Sequence, residues 1–218
     1  VSSEIAYSEG IRFDAVIALN SGGGNIALRG KSYAMGVYTD WGASGVGFYF
    51  FSAATGTINS GTGTITIDGY SQTNTSSYAS GIYSMHNMTI TSAKTTTEAI
   101  RIIGKETSKN GEAWGIETES IFSVLATGTG GGITVSSSQQ NSGNNYDIVF
   151  RGETNILAKS GPINLLGGQS GGIANGTMFL ASNAYLGSKA ASAVPTSSST
   201  ITIQYDLYNF SGYTPKLA

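Results

Sequence analysis

Gly63-Thr64-Ile65-Thr66-Ile67-Asp68-Gly69 is the signature of a short strand, and the chain writes it six times. It recurs as Gly24-Asn25-Ile26-Ala27-Leu28-Arg29-Gly30, Ile100-Arg101-Ile102-Ile103-Gly104 and Gly132-Ile133-Thr134-Val135-Ser136. The last two copies are Gly161-Pro162-Ile163-Asn164-Leu165-Leu166-Gly167 and Ile201-Thr202-Ile203-Gln204. The first apolar positions are 26, 65, 100, 133, 163 and 201, giving steps of 39, 35, 33, 30 and 38. A period of roughly 20 to 50 residues is the mark of a solenoid, propeller or array.

Two further motifs precede most copies. A small residue followed by an aliphatic one appears as Gly10-Ile11, Gly36-Val37, Gly81-Ile82 and Gly115-Ile116, with Asp147-Ile148 and Thr177-Met178 continuing the series. A second strand follows, centred on Ile17, Ile90, Val124, Ile156 and Leu186. From first to second strand the step is 6 in the first unit (11 to 17) and 8 in the units starting at 82, 116, 148 and 178. Three strands per unit, two corners and a longer return follow from this order.

Side chains alternate along a strand, so Ile65 and Ile67 point inward and Thr66 outward. Stacking the copies sets Ile26, Ile65, Ile100, Ile133, Ile163 and Ile201 in one internal ladder. The expected fold is all-β: a right-handed parallel β-helix of about six three-strand coils with a triangular cross-section, right-handed by the crossover rule. The coils fall near 10–30, 36–69, 81–104, 115–137, 147–167 and 176–205, with 206–218 a terminal strand or tail, all within one domain spanning 1–218. At roughly 4.8 Å per strand, such a stack is a rod on the order of 30 Å long. A β-sandwich or jelly roll also has many short strands, but it does not predict one three-motif order returning.

Composition narrows the function classes. With 11 basic and 13 acidic residues the net charge is -2, which offers no electrostatic footprint for nucleic acid. No apolar run reaches the roughly 18 residues of a transmembrane helix. One histidine and no cysteine leave little for an ordinary zinc site, and the Gly-Gly-x-Gly-x-Asp repeat of calcium-binding β-rolls is absent. No cofactor and no metal are expected. The 31 glycines and the Ser/Thr/Asn-rich turns fit an ordered β-core, because the apolar residues recur at alternating positions. The chain starts at Val1 without a leader, so an export signal would have been removed or lie upstream.

Tyr78-Ala79-Ser80-Gly81-Ile82-Tyr83, Ile90-Thr91-Ser92 and Gly63-Thr64-Ile65-Thr66-Ile67-Asp68-Gly69 resemble the repeats of bacterial filamentous-haemagglutinin-like exoproteins, the large adhesins of two-partner secretion systems. The resemblance runs from about Gly10 to Gln204. It implies a secreted or cell-surface β-helical stalk used in adhesion, matrix or fibre formation. The Asn-Pro-Asn-Gly-type element of that family's secretion domain is missing, so the chain reads as a repeat segment or a stand-alone relative.

Catalytic signals are sparse. Gly168-Gln169-Ser170-Gly171-Gly172 matches a nucleophile-elbow pattern, but it lies in a Gly/Ser turn and the one histidine, His86, sits in a return between strands. Asp68, Glu98, Glu117 and Asp147 are scattered; two of them brought together by stacking would suit polysaccharide cleavage. The stretch from Trp41 to Phe51 reads as an insertion carrying Trp41, Phe48, Tyr49, Phe50 and Phe51. Such aromatics either anchor a partner or a sugar face, or fold back to cover the solenoid. A further insertion falls around Pro195.

Unpaired strand edges at both ends of a β-helix pair with other chains unless capped. The sequence therefore points to a non-catalytic extracellular protein, a fibre subunit or adhesin stalk that associates end to end into oligomers or filaments. The alternatives are a carbohydrate-binding module meeting surface glycans through the aromatic stretch, and a polysaccharide-degrading enzyme.

Overall fold

The computed structural model describes residues 8–34, 45–51, 55–73, 79–96, 98–107, 113–139 and 146–167, with the short segments 177–180, 184–187, 201–204, 207–208 and 216–217. Every element among them is a strand or a turn. The first coil holds β1 (Ser8–Phe13), β2 (Ala18–Asn20) and β3 (Ile26–Ala34). The second holds β4 (Gly45–Phe50), β5 (Gly56–Asn59) and β6 (Ile65–Thr73), and the third β7 (Ala79–Ser84), β8 (Met88–Ser92) and β9 (Ile100–Glu106). Then come β10 (Ala113–Thr118), β11 (Phe122–Ala126) and β12 (Ile133–Gln139), followed by β13 (Tyr146–Phe150), β14 (Thr154–Ala158) and β15 (Ile163–Leu166). The sixth coil holds β16 (Thr177–Leu180), β17 (Ala184–Gly187) and β18 (Ile201–Gln204), after which β19 (Leu207–Tyr208) and β20 (Lys216–Leu217) add two faces of a seventh.

Corresponding strands stack in parallel. The first sheet has seven strands (β1-β4-β7-β10-β13-β16-β19), the second seven (β2-β5-β8-β11-β14-β17-β20) and the third six (β3-β6-β9-β12-β15-β18). This is the expected three-sided parallel β-solenoid. No helix among the described residues is long and apolar enough to cross a membrane.

The third sheet follows the predicted ladder throughout: Ile26, Ile65, Ile100, Ile133, Ile163 and Ile201 are register partners in turn. Ile65, Ile100, Ile133 and Ile163 are buried together with Phe48, Ile58, Ile82, Ile90, Ile116, Val124 and Ile156 in one continuous core. Each such side chain contributes roughly 1.5–3 kcal/mol by leaving water. The closed interior runs through four coils, from β4 to β15. In the first coil Ile11, Phe13, Ile17, Leu19, Ile26 and Leu28 are only partly buried, because no coil among the described residues lies above them.

Two positions depart from the sequence reading. The second coil's first strand is β4, with Phe48 paired to Ile11 on one side and Ile82 on the other. The expected strand at Gly36-Val37-Tyr38 lies outside the described residues. Counted from Phe48 to Ile65, this coil's arc is 17 residues rather than 28, so the extra length belongs to the return between β3 and β4. In the first coil the ladder residue of β2 is Leu19, register partner of Ile58, not Ile17. From Ile11 to Leu19 the step becomes 8, matching the third to sixth coils, while the second runs 10 from Phe48 to Ile58. Side chains alternate with period two, so a two-residue error keeps the inward face and hides itself.

A third departure concerns the glycines that close the repeated motif. Gly30, Gly69 and Gly104 sit inside strands, since β3, β6 and β9 run on to Ala34, Thr73 and Glu106. There the third sheet passes so close to the first that no side chain fits. A Cβ on Gly69 would stand 2.1 Å from the Gly81 carbonyl oxygen, and one on Gly81 2.4 Å from the Lys105 nitrogen. Beyond this seam the extended strands bury a small polar layer: Ser71 Oγ donates to the Gly45 carbonyl at 2.9 Å, with Ser32 and Glu106 also buried.

The second corner repeats a turn in the first two coils. In Asn59-Ser60-Gly61-Thr62-Gly63, Gly61 N donates to Asn59 Oδ1 at 2.8 Å and Ser60 Oγ donates to the Gly63 carbonyl at 2.7 Å. Gly61 has φ +59, a left-handed turn conformation that favours glycine. Asn20-Ser21-Gly22 builds the same bonds, with Gly22 N to Asn20 Oδ1 at 3.0 Å. On the outside of the second sheet, Ala18, Thr57, Thr89, Ser123 and Asn155 form one row of register partners, and Asn20 to Leu157 the next.

Candidate binding surface on the first sheet

The aromatic run splits by alternation within a single strand. Phe48 and Phe50 point into the core, with ring centroids 4.6 Å apart and Phe13 5.6 Å from Phe50. For these two the buried alternative holds over the partner anchor, and the reading of this stretch as an insertion is corrected, because β4 is a ladder strand. Tyr49 and Phe51 point the other way, onto the outer face of the first sheet. Trp41 lies outside the described residues, as do Gly168 to Gly172 and Pro195.

The outer face carries one residue per coil immediately after each inward ladder residue. Arg12, Tyr49, Tyr83, Glu117 and Val149 are successive register partners. Hydrogen bonding continues one residue past the strands, with Phe51 N donating to the Phe13 carbonyl and Arg151 N to that of Thr118. Tyr49 stacks on Tyr83 at 5.1 Å, and Arg12 lies 5.5 Å from the Tyr49 ring and 4.5 Å from that of Phe51. Arg12 is also held by Glu9 at 2.8 Å and by Asp14. At the far end Arg151 donates to Glu117 at 2.8 Å and lies 5.9 Å from the Trp114 ring.

This packing fixes the charge states. Burial pushes the Tyr49 phenol up to about 12. Tyr83 is raised as well, first by burial and then by its hydrogen bond with Glu119. The bond to Asp14 is the main reason that Arg12 is held above its ordinary value, burial opposing it and Glu9 adding to it. Burial pulls Arg151 down most, but the bond to Glu117 and the charges of Glu117, Glu119 and Tyr146 together leave it above its ordinary value. The stripe is thus a row of neutral phenols between fixed cations. The faces of Tyr49 and Tyr83 are turned to each other, while Phe51 is 39% exposed.

The four scattered carboxylates stay apart. Asp68 has Arg29 and Ile103 as register neighbours, Glu98 pairs with Arg101 at 3.8 Å, and Glu117 pairs with Arg151. Asp147 is buried in β13, where its carbonyl accepts from Ser137 Oγ at 2.5 Å. No two of the four stand opposite one another. His86 lies edge-on to Phe51 at 6.4 Å. Among the described residues no three His, Cys, Asp or Glu side chains gather into a metal-holding group.

Arg12, Tyr83, Trp114 and Arg151 were not anticipated. For Arg12, Tyr83 and Arg151 the signal is the position directly after an inward residue, as in Ile11-Arg12, Ile82-Tyr83 and Phe150-Arg151; Trp114, two residues before Ile116, does not share it. No protein-family model, no curated protein and no solved structure matches the chain.

Proposed function

We propose that this chain is a non-catalytic extracellular structural protein, a fibre subunit or adhesin stalk of the filamentous-haemagglutinin-like kind, extended by coil-on-coil stacking at its ends. The supporting observation is the first coil. Its six inward side chains are half-covered, and β1, β2 and β3 form the edges of the three sheets. A further coil of the same cross-section would bury those side chains and pair all three edges at once. The charged groups of the first sheet neutralise each other in pairs, which favours a scaffold over a reaction centre.

Carbohydrate binding through the aromatic stretch is the weaker reading, since stacking occupies the ring faces of Tyr49 and Tyr83 and leaves Phe51 as the exposed ring. The test is electron microscopy of the purified 218-residue chain beside a Leu19→Lys variant. Filaments are expected for the parent and only short, dispersed particles for the variant, because a lysine on an edge strand blocks pairing. Dispersed particles from the parent at high concentration would sink the reading.

A further inference from the structure

The second sheet differs from the other two on its outer side. The described strands β2, β5, β8, β11 and β14 read ALN, GTIN, MTITS, FSVLA and TNILA, without a charged residue. The outer first sheet carries Arg12, Glu117 and Arg151, and the outer third sheet Arg29, Asp68 and Arg101. The outward rows of the second sheet instead run from Thr and Asn near the start of the rod to Leu125 and Leu157 further along. Exposed Ile121 continues that apolar end.

Charge returns at the ends of β14, and further along at Lys216 of β20, which follows Asn155 and Tyr185 in register. Glu153 precedes its first residue, Lys159 follows its last, and both are exposed. Glu153 Oε1 accepts from Asn155 Nδ2 at 3.0 Å, which places its carboxylate on the outer side with Asn155. The corresponding positions in the first four coils, such as Ile121 and Thr127, are uncharged. The five residues of β14 separate the two charges by roughly 20 Å, too far for them to pair within one molecule.

We propose that this face binds the same face of a second copy, the two rods lying side by side and related by a two-fold axis parallel to them. Such an axis opposes the strands of one copy to those of the other in reverse direction. Glu153 then meets Lys159 twice, and Asn155 meets Leu157 twice, at the usual face-to-face sheet spacing of roughly 10 Å. A two-fold along the strands would instead set acidic edge against acidic edge. Five strands at roughly 4.8 Å by roughly 20 Å give on the order of 500 Å² per copy, hence about 1,000 Å² in total, the lower limit for a specific interface. The dimer is therefore weak and reversible, and it uses none of the ends on which the stacking proposal rests.

Sedimentation velocity over a concentration series tests it, on the full chain carrying Leu19→Lys so that end-to-end stacking is blocked. A closed monomer–dimer equilibrium is expected, lost in Leu157→Lys with the thermal midpoint unchanged because that side chain points outward. Glu153→Lys and Lys159→Glu should each weaken the dimer about tenfold, and the double exchange should restore it. A chain monomeric throughout, a dimer indifferent to Leu157→Lys, or a double exchange no tighter than either single one overturns the proposal. So does a monomer that captures an uncharged polysaccharide through Leu157. End-to-end stacking fails or succeeds separately, because Leu19→Lys removes open-ended species and leaves this dimer intact.

Discussion

Phe48 and Phe51 stand three residues apart in one aromatic run and do opposite work. Phe48 is fully buried between Ile11 and Ile82, whereas Phe51 lies over Arg12 with 39% of its surface exposed. Phe48→Ala should cost about 3–5 kcal/mol, because it removes a ring from a core that cannot collapse around the gap. Phe51→Ala should change stability by no more than about 0.5 kcal/mol. Chemical denaturation of the two variants checks this, and equal costs would contradict the register. The distinction was within reach of the sequence. Gly47-Phe48 repeats the small-then-large step of Gly10-Ile11 and Gly81-Ile82, but an aromatic in an aliphatic ladder disguises it.

At the scale of the element, the third-sheet strands were half readable. Their Ile-x-Ile cores show in the sequence because burial selects apolar residues at a period of two. Their extension past the glycine does not show, since a glycine there has the same letter whether it makes a turn or admits another backbone. Only the approach of Gly69 to Gly81 separates the cases. Gly81→Ala should therefore destabilise by about 1–3 kcal/mol although alanine normally strengthens a strand over glycine. Its Cβ would meet the Lys105 nitrogen at 2.4 Å and the Gly115 carbonyl oxygen at 2.6 Å, backbone atoms that cannot rotate away. A thermal midpoint at or above the parent's would show that the seam opens without cost.

For the whole molecule, three motifs in fixed order were enough to read a three-sided solenoid, because each coil repeats one solution to the burial of its aliphatic side chains. Surfaces were not readable in the same way. The stripe from Arg12 to Glu117 and the uncharged strands of the second sheet from β2 to β14 join residues about 35 positions apart, and that neighbourhood exists only after the register is known. A solenoid's stability is close to a sum of nearest-neighbour contacts, so protection should follow the number of covered sides. Backbone amides of β8 and β11, enclosed between coils, should exchange slowest with solvent in dilute solution. Those of β2, a three-residue strand at the sheet's edge with half-covered Leu19, should exchange fastest among the second-sheet strands from β2 to β14. If rods stack end to end, raising the protein concentration should slow exchange in β1, β2 and β3 while leaving β8 unchanged. Protection of β2 equal to that of β8 in dilute solution would mean that the first coil is already covered within one chain. Stacking would then have no apolar surface left to bury at that end.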